Sequence, residues 1–599
     1  MTLLRLFAAA CAAIALHAAA AEPPKVLRYA FRAAETGFDM AKSYDLYSSI
    51  ICSHIFDGLY EYDHLARPFK IKPNVAEAMP QVSDDFRTWT VRIRPGIYFA
   101  DDPAFKGAKR ELTAADFVYT WKRFYDPANK SPIYASFKEE GVIGMEALRD
   151  EVLKDKVPFD YDREVEGIRA LDRYTLQFKL EKPRPRFLYS LSGGSPFGAV
   201  AREVIEFYGD KSSQHPVGTG AFRIASWRRS SQVVLERNPN YREKYYDAEP
   251  NADDAEGQAM VERFKGRRIP MVDRVEVSII EESQPRWLAF LRGEFDLINE
   301  FPTDFAPQAV PHGKIAPNLA KRGIRLHRVV ATDRTLFYFN WNDPLVGGFA
   351  PEKVALRRAI RLAYDTDAEI RQARRGQAIP AQSIVSPNSW GYDPTLKTEN
   401  SDFDPARAMA LLDMFGYVDR NGDGWRDRPD GSPLVLQYAS QPDALSRQYD
   451  ELWKKNMDRV GLRLSIEIGQ WPEQLKKARA GQLMIWQLGY SAASPDGAGA
   501  LGLLYGPASG GQNLAQFKSD KLDAIVNRMN TLPDGPERLA LLREGIRYID
   551  AMAPHKYNVH RILNDFTQPW VEGYRRPPYT NAFWSYVDID PVRQASAPK

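Results

Sequence analysis

The stretch DRNGDGWRDRPD places Asp419, Asn421, Asp423, Gly424, Trp425 (through its carbonyl), Asp427 and Asp430 at positions 1, 3, 5, 6, 7, 9 and 12 of a calcium-loop pattern. Oxygen donors at alternate positions let one turn of chain wrap a hard cation. Position 12 is Asp430, one methylene shorter than the glutamate that normally grips the ion with both oxygens. A calcium ion held here is structural, fastening a surface turn between a helix and a strand. A second stretch, QLGYSAASPDG at 487–497, leaves the apolar run 483–486 and turns at once into small polar residues. A buried strand that opens into such a loop lines a cavity, so Tyr490, Ser494 and Asp496 are candidate ligand contacts.

Signs of reaction chemistry are few. The eight histidines form no helical metal pair, and His555 and His560, five apart in an extended segment, point to opposite faces. GxSxG, HExxH and phosphate-loop patterns are absent from the sequence, so no cofactor is expected beyond the structural calcium. Cys52 lies in IICSHIF, which reads as a buried helix, and His54 beside it reads as structural. A hydrolase built from residues distant in sequence, or a chaperone-like holder, is the alternative class.

The elements that position these residues alternate between strand and helix. TWTVRIRPG at 88–96 sets Trp89, Val91 and Ile93 on one face, and TLQFKL, RVEVSII and LRLSIEI alternate in the same way. Thr113 with Asp116 three residues on starts a helix along AADFVYTWKRF, and Asp404-Pro405 starts another that ends at Gly416. Residues 241–269 are polar and read as a surface excursion between strands.

The amino terminus sets the compartment. Arg5, an apolar stretch and small residues up to Ala21 form a cleavable secretory leader over 1–21. Cys11 lacks the setting of a lipid-bearing cysteine, so a lipid anchor is not expected. The mature chain keeps Cys52 alone, which excludes an intramolecular disulfide, and its length implies two to four lobes. Lysine plus arginine number 81 against 78 acidic residues, a balance that argues against a nucleic-acid partner.

Six ordered stretches together resemble one family. HIFDGLYEYD (54–63), NVAEAMPQVSDDFRTWTVRIRPGIYFADD (74–102), LTAADFVYTWKRFYDP (112–127), VGTGAFRIASWRRSSQVVLERNPNY (217–241), DRVEVSIIEESQPRWLAFLRGEFDLI (273–298) and LFYFNWNDP with VALRRAIRLAYD (336–365) are similar to the family 5 extracellular solute-binding proteins. Those are the periplasmic peptide, nickel and oligosaccharide receptors of ABC importers, and the peptide-binding members are the most alike. The resemblance implies an α/β, periplasmic-binding-protein-like fold (type II, cluster C) with two large hinged lobes and an inserted extra lobe. It divides the chain into lobe I at 22–68, 205–328 and 541–599, an inserted lobe at 69–204, and an opposing lobe at 329–540. A monomer in the periplasm, closing over a peptide or peptide-like solute and serving an inner-membrane ABC permease, is the implied function. Oligosaccharide, nickel or haem cargo is the alternative within the family, and its Asp/Gly-rich turn at the place of 419–430 often implies no metal.

In peptide-binding members the segment matching 489–497 carries an aromatic and, three residues on, an aspartate that receives the peptide's α-amine. Tyr490 matches the aromatic, but the third position is Ala493, and the proline usual after the second acid, Asp496, is Gly497. Three readings stay open: Asp496 swings in, the cargo has a blocked or absent amine, or Glu35 reaches it. Phe38, Asn340, Trp341, Trp390, Trp486 and Ser440, the last in the loop SQPDA at 440–444, complete the candidate pocket.

Overall fold

The computed structural model describes residues 23–193, 197–299, 301–492 and 494–596, and the expected leader at 1–21 lies outside them. The alternation at 88–96 produces the strand Thr88–Arg92, with Trp89 and Val91 buried and Arg92 exposed. The pairing runs one residue further, Ile93 N–H donating to the Tyr174 carbonyl in register, and Pro95 has no N–H to carry the ladder on. Thr88–Arg92 pairs with Gln81–Val82 and Thr175–Lys179, and Ile168–Ala170 completes an antiparallel four-stranded sheet. The helix Ala114–Tyr125 begins where Asp116 accepts the Thr113 N–H at 2.7 Å, as the capping pattern predicts. Its Trp121 meets Phe178 of that sheet edge-on at 5.0 Å and Phe137 at 4.8 Å.

A second four-stranded sheet runs in the order Val26–Phe31, Arg274–Ile279, Gln232–Arg237, Phe222–Arg228, with only the first pair parallel. Just before its last strand, Gly218 and Gly220 pass against the carbonyl of Ile55. A Cβ on either would lie 2.1 or 2.6 Å from that oxygen, so the close approach requires glycine. Residues 241–269 differ from the expected bare excursion. They contain the helix Ala255–Phe264 and a two-stranded ribbon, and Tyr246, Phe264 and Ile269 bury themselves with Leu65, Met271 and Tyr586 in a small core. Their apolar residues are too widely spaced in sequence to show a face, and contacts from remote chain supply it.

The largest sheet has eight strands, and one of them, His555–Thr567, runs its full depth. The start of that strand pairs with Asp333–Phe339, and its end pairs with Arg325–Val330 and Leu297–Ile298. The chain therefore crosses twice at one place, once at Ala331 and Thr332 and once at Arg561. The crossing is held by Ala331 N–H to the Arg561 carbonyl at 2.8 Å and Arg561 N–H to Asp333 Oδ1 at 3.1 Å. Beyond Asp333–Phe339 the sheet continues through Ile485–Ser491, Val435–Ser440 and Arg463–Ile468, the last two parallel. Helices Pro351–Ala363 and Ala444–Arg459 flank it, and Trp453 fills the interior against Phe337 at 4.5 Å and Tyr438 at 4.7 Å. Truncating such a side chain to alanine costs about 3–5 kcal/mol. Among the described residues, no helix is long and apolar enough to cross a membrane.

Candidate functional site

A cleft of about 820 Å³ opens beside the double crossing. One wall comes from the end of Val26–Phe31 with Arg32 just beyond it, from the helix Leu46–Ile55, and from residues 301–304; Tyr29, Tyr47 and Asp304 belong to it. The other wall carries Arg374 and Arg375, the start of Ala444–Arg459, Ser491 and Arg561. This size suits a guest of several residues or a comparable small molecule.

The opposing wall is fixed from beneath. Arg374 is buried, donating through Nε to Glu369 at 2.7 Å and through Nη2 to Thr335 Oγ1 at 3.1 Å, with its guanidinium 5.5 Å from the Tyr449 ring centre. Burial pushes the Tyr449 hydroxyl pKa up, against the pull of Arg374, so it stays a neutral donor. Asp443 caps Ala444–Arg459, accepting N–H groups of Leu445 at 3.0 Å and Ser446 at 2.9 Å and the Ser446 hydroxyl at 2.6 Å. Arg561 donates its Nε–H to Asp333 across the crossing. On the near wall Arg576 forks onto Asp565 at 2.8 and 2.7 Å.

The residues singled out from sequence fall around the cleft rather than on its surface. Tyr490 pairs with Arg334 across neighbouring strands and is half-buried against the adjacent core, where burial raises its pKa. Its neighbour Ser491 reaches the cleft, and so do Asp443 and Ala444 of the SQPDA loop, while Ser440 is buried with its carbonyl accepting Gly469 N–H at 3.0 Å. Phe38 packs on Trp227 at 4.9 Å, and the Trp227 indole donates to the buried Glu35, so neither reaches the cleft. Asn340 donates to the Gly481 carbonyl at 2.7 Å; Trp341 lies between Phe517 at 4.5 Å and the Arg357 guanidinium at 4.3 Å; Trp486 packs on Trp471 at 4.9 Å. All three are interior. Ser494 accepts the Asp496 N–H at 3.4 Å, and Ala493 lies outside the described residues.

Asp496 does not swing into the cleft, because two arginines hold it elsewhere. Arg538 donates both bonds of its Nη2 to the carboxylate, at 2.8 and 2.7 Å, and Arg186 approaches through Nε at 3.1 Å. Trp390 lies beneath, 4.4 Å from the Arg538 guanidinium. Gly497 serves this packing: a Cβ there would fall 2.3 Å from the Trp390 carbonyl. Arg186 also donates to the carbonyls of Leu532 at 2.9 Å, Asn530 at 3.0 Å and Met529 at 3.3 Å, at the end of the helix Asp520–Thr531. Burial lowers its pKa and Asp496 opposes that shift.

The 419–430 loop closes on its own backbone. Asp419 accepts Gly422 N–H at 2.7 Å and Gly424 N–H at 2.9 Å; Asn421 accepts Asp423 N–H; Asp423 accepts Trp425 N–H and pairs with Arg463 at 3.0 Å. Asp427 accepts Arg420 N–H at 3.0 Å, and Asp430 accepts Ser432. Among the described residues no three acidic, His or Cys side chains converge as metal ligands, so these donors do not fit a calcium ion in this arrangement. Asx turns account for the spacing.

Sequence reasoning missed Arg374, Arg375 and Arg561. No motif marks them: they come from a turn and a distant strand, and the pairing of Ala378–Pro380 with His555–Thr567 helps bring them to one wall.

The sequence profile of the bacterial extracellular solute-binding proteins, family 5 Middle, matches residues 70–512. Di/tripeptide-binding protein 2 of Pseudomonas aeruginosa is 25% identical over 591 residues, covering 96% of this chain and 97% of that protein. The periplasmic oligopeptide-binding protein OppA of Salmonella typhimurium is 26% identical over 546 residues, with 89% and 87% covered. The periplasmic binding protein DppA from Helicobacter pylori, solved in complex with peptide STSA, shares the fold with a TM-score of 0.68 at 22% identity, covering 94% of this chain and 98% of that one.

Proposed function

The chain belongs to the family 5 bacterial extracellular solute-binding proteins, and from that membership we propose that it captures a peptide or peptide-like solute in the periplasm and hands it intact to an inner-membrane ABC permease. It is a binding protein of the type II periplasmic fold and not an enzyme, as its relatives are. The observation that carries the reading is the cleft of about 820 Å³ whose two walls are joined by the double crossing at Ala331, Thr332 and Arg561. A guest touching both walls stabilises the arrangement in which they are close, and a permease can then read the loaded form. The names of the relatives support a peptide guest. The working unit is a monomer.

The test combines calorimetry, small-angle scattering and mass spectrometry on the purified protein with a panel of short peptides. The expected result is saturable binding, a smaller radius of gyration on loading, and recovery of the peptide unchanged. Hydrolysis of the peptide, or loading with no compaction, overturns it.

A further inference from the structure

The cleft is unequal in its charged groups. Six arginines line it, Arg32, Arg286 and Arg576 on one wall and Arg374, Arg375 and Arg561 on the other, against two carboxylates, Asp304 and Asp443. Asp443 is committed to its helix cap, which leaves Asp304 as the uncommitted carboxylate among the described residues that line the cleft. A guest's ammonium therefore meets one uncommitted carboxylate among the described residues that line the cleft, and six arginines whose positive charge opposes it.

Anions are served differently. Arg374 and Arg576 carry their own buried carboxylates, but two guanidiniums keep donors free. Arg375 has no ion-pair or side-chain hydrogen-bond partner among the described residues, and the backbone holds it at φ +52°, a conformation that non-glycine residues rarely adopt and that functional sites retain. Arg561 gives Asp333 only its Nε–H, leaving both Nη groups without a hydrogen-bond partner among the described residues. The strand pairing sets Ala378, three residues after Arg375, directly opposite Arg561, so the two guanidiniums belong to one patch of the wall. A guanidinium offers a planar fork of donors that matches a carboxylate.

We infer that the cleft selects acidic peptides, gripped by their carboxylates on Arg375 and Arg561, and that it does not require a free α-amine. This rests on the proposed peptide cargo. The test titrates the full protein by calorimetry with N-acetylated Glu-Ala-Glu-Ala, the same peptide with a free amine, tetra-alanine, and Lys-Ala-Lys-Ala, at low and at high salt. The two acidic peptides are expected to bind equally and about tenfold or more tighter than tetra-alanine, losing that advantage in salt. Arg375→Gln should weaken the acidic peptides about tenfold, more than it weakens tetra-alanine, and keep the melting temperature, since Arg375 is exposed; Arg561→Gln is the second variant. Preference for tetra-alanine or the lysine peptide, or loss of binding on acetylation, overturns the inference while leaving peptide capture standing. Failure of all four peptides to bind overturns both, and unchanged acidic affinity in both variants overturns the assignment to these arginines.

Discussion

Asp496 is worth more to stability than to recognition. Its carboxylate neutralises Arg538, whose side chain is almost fully buried, and Arg186 beside it. Removing one partner of a buried pair costs about 3–5 kcal/mol, and Asp534, which accepts from Arg538 Nη1 at 2.7 Å, keeps the loss at the low end. Asp496→Asn is therefore expected to lower unfolding stability by about 3 kcal/mol in urea melts, with ligand affinity shifted only through the looser walls. A large loss of affinity at unchanged stability would return Asp496 to the cleft. The sequence makes Asp496 conspicuous as an acid in a small-residue loop, but its partners are an arginine after Thr175–Lys179 and another on the helix Pro536–Met552. Neither carries a local signal. The same holds for Arg375 and Arg561: a loop such as SQPDA was recognisable as cavity-lining because strand exits are, whereas which far residue faces it depends on pairings one sequence does not display.

Elements carry the protein's response to acid. His54 on Leu46–Ile55 stacks on Trp584 at 4.0 Å, His64 stacks on Tyr586 at 4.4 Å, and His555 opens the long strand; all three are buried. Burial pushes each pKa from the ordinary 6.5 down to about 3. Between those values the unfolded chain binds a proton that the folded one refuses, so stability is fully present above 6.5 and is lost as pH falls through the window. Each group's slope rises from near zero at pH 7.5 towards a limit of about 1.4 kcal/mol per pH unit well below 6.5. Urea melts between pH 7.5 and 5.5, above the range where most carboxylates titrate, should show that decline, and His54→Phe should reduce its slope by about half a proton on average, approaching one at the acid end. A flat profile would place these rings in contact with water. Element types were the most legible level: TWTVR, RVEVSI and the Thr113 start all formed as their periodicity and capping dictate. Residues 241–269 were not, because their helix buries Phe264 against Tyr586 from the far end of the chain.

At the scale of the molecule, Arg186 ties two parts that meet nowhere near the guest. It comes after the sheet around Thr88–Arg92 and reaches Asp496 and three carbonyls at the end of Asp520–Thr531, on the side that carries the opposing wall of the cleft. These bonds hold the walls together without touching a ligand. A bond made only when the walls are near favours that arrangement before any guest arrives, and affinity scales with the fraction of molecules so arranged. Arg186→Ala removes the tie yet leaves Asp496 bonded to Arg538, so each part keeps its own interior. The expected outcome is a larger radius of gyration for the unliganded protein by small-angle scattering, an affinity about fivefold to tenfold weaker, and a loaded form of unchanged size, because a saturating guest restores closure. The deficit should appear in the dissociation rate, since the tie acts after encounter. If the unliganded variant scatters like the parent and binds as tightly, the contact is a passive seam and closure depends on the guest alone.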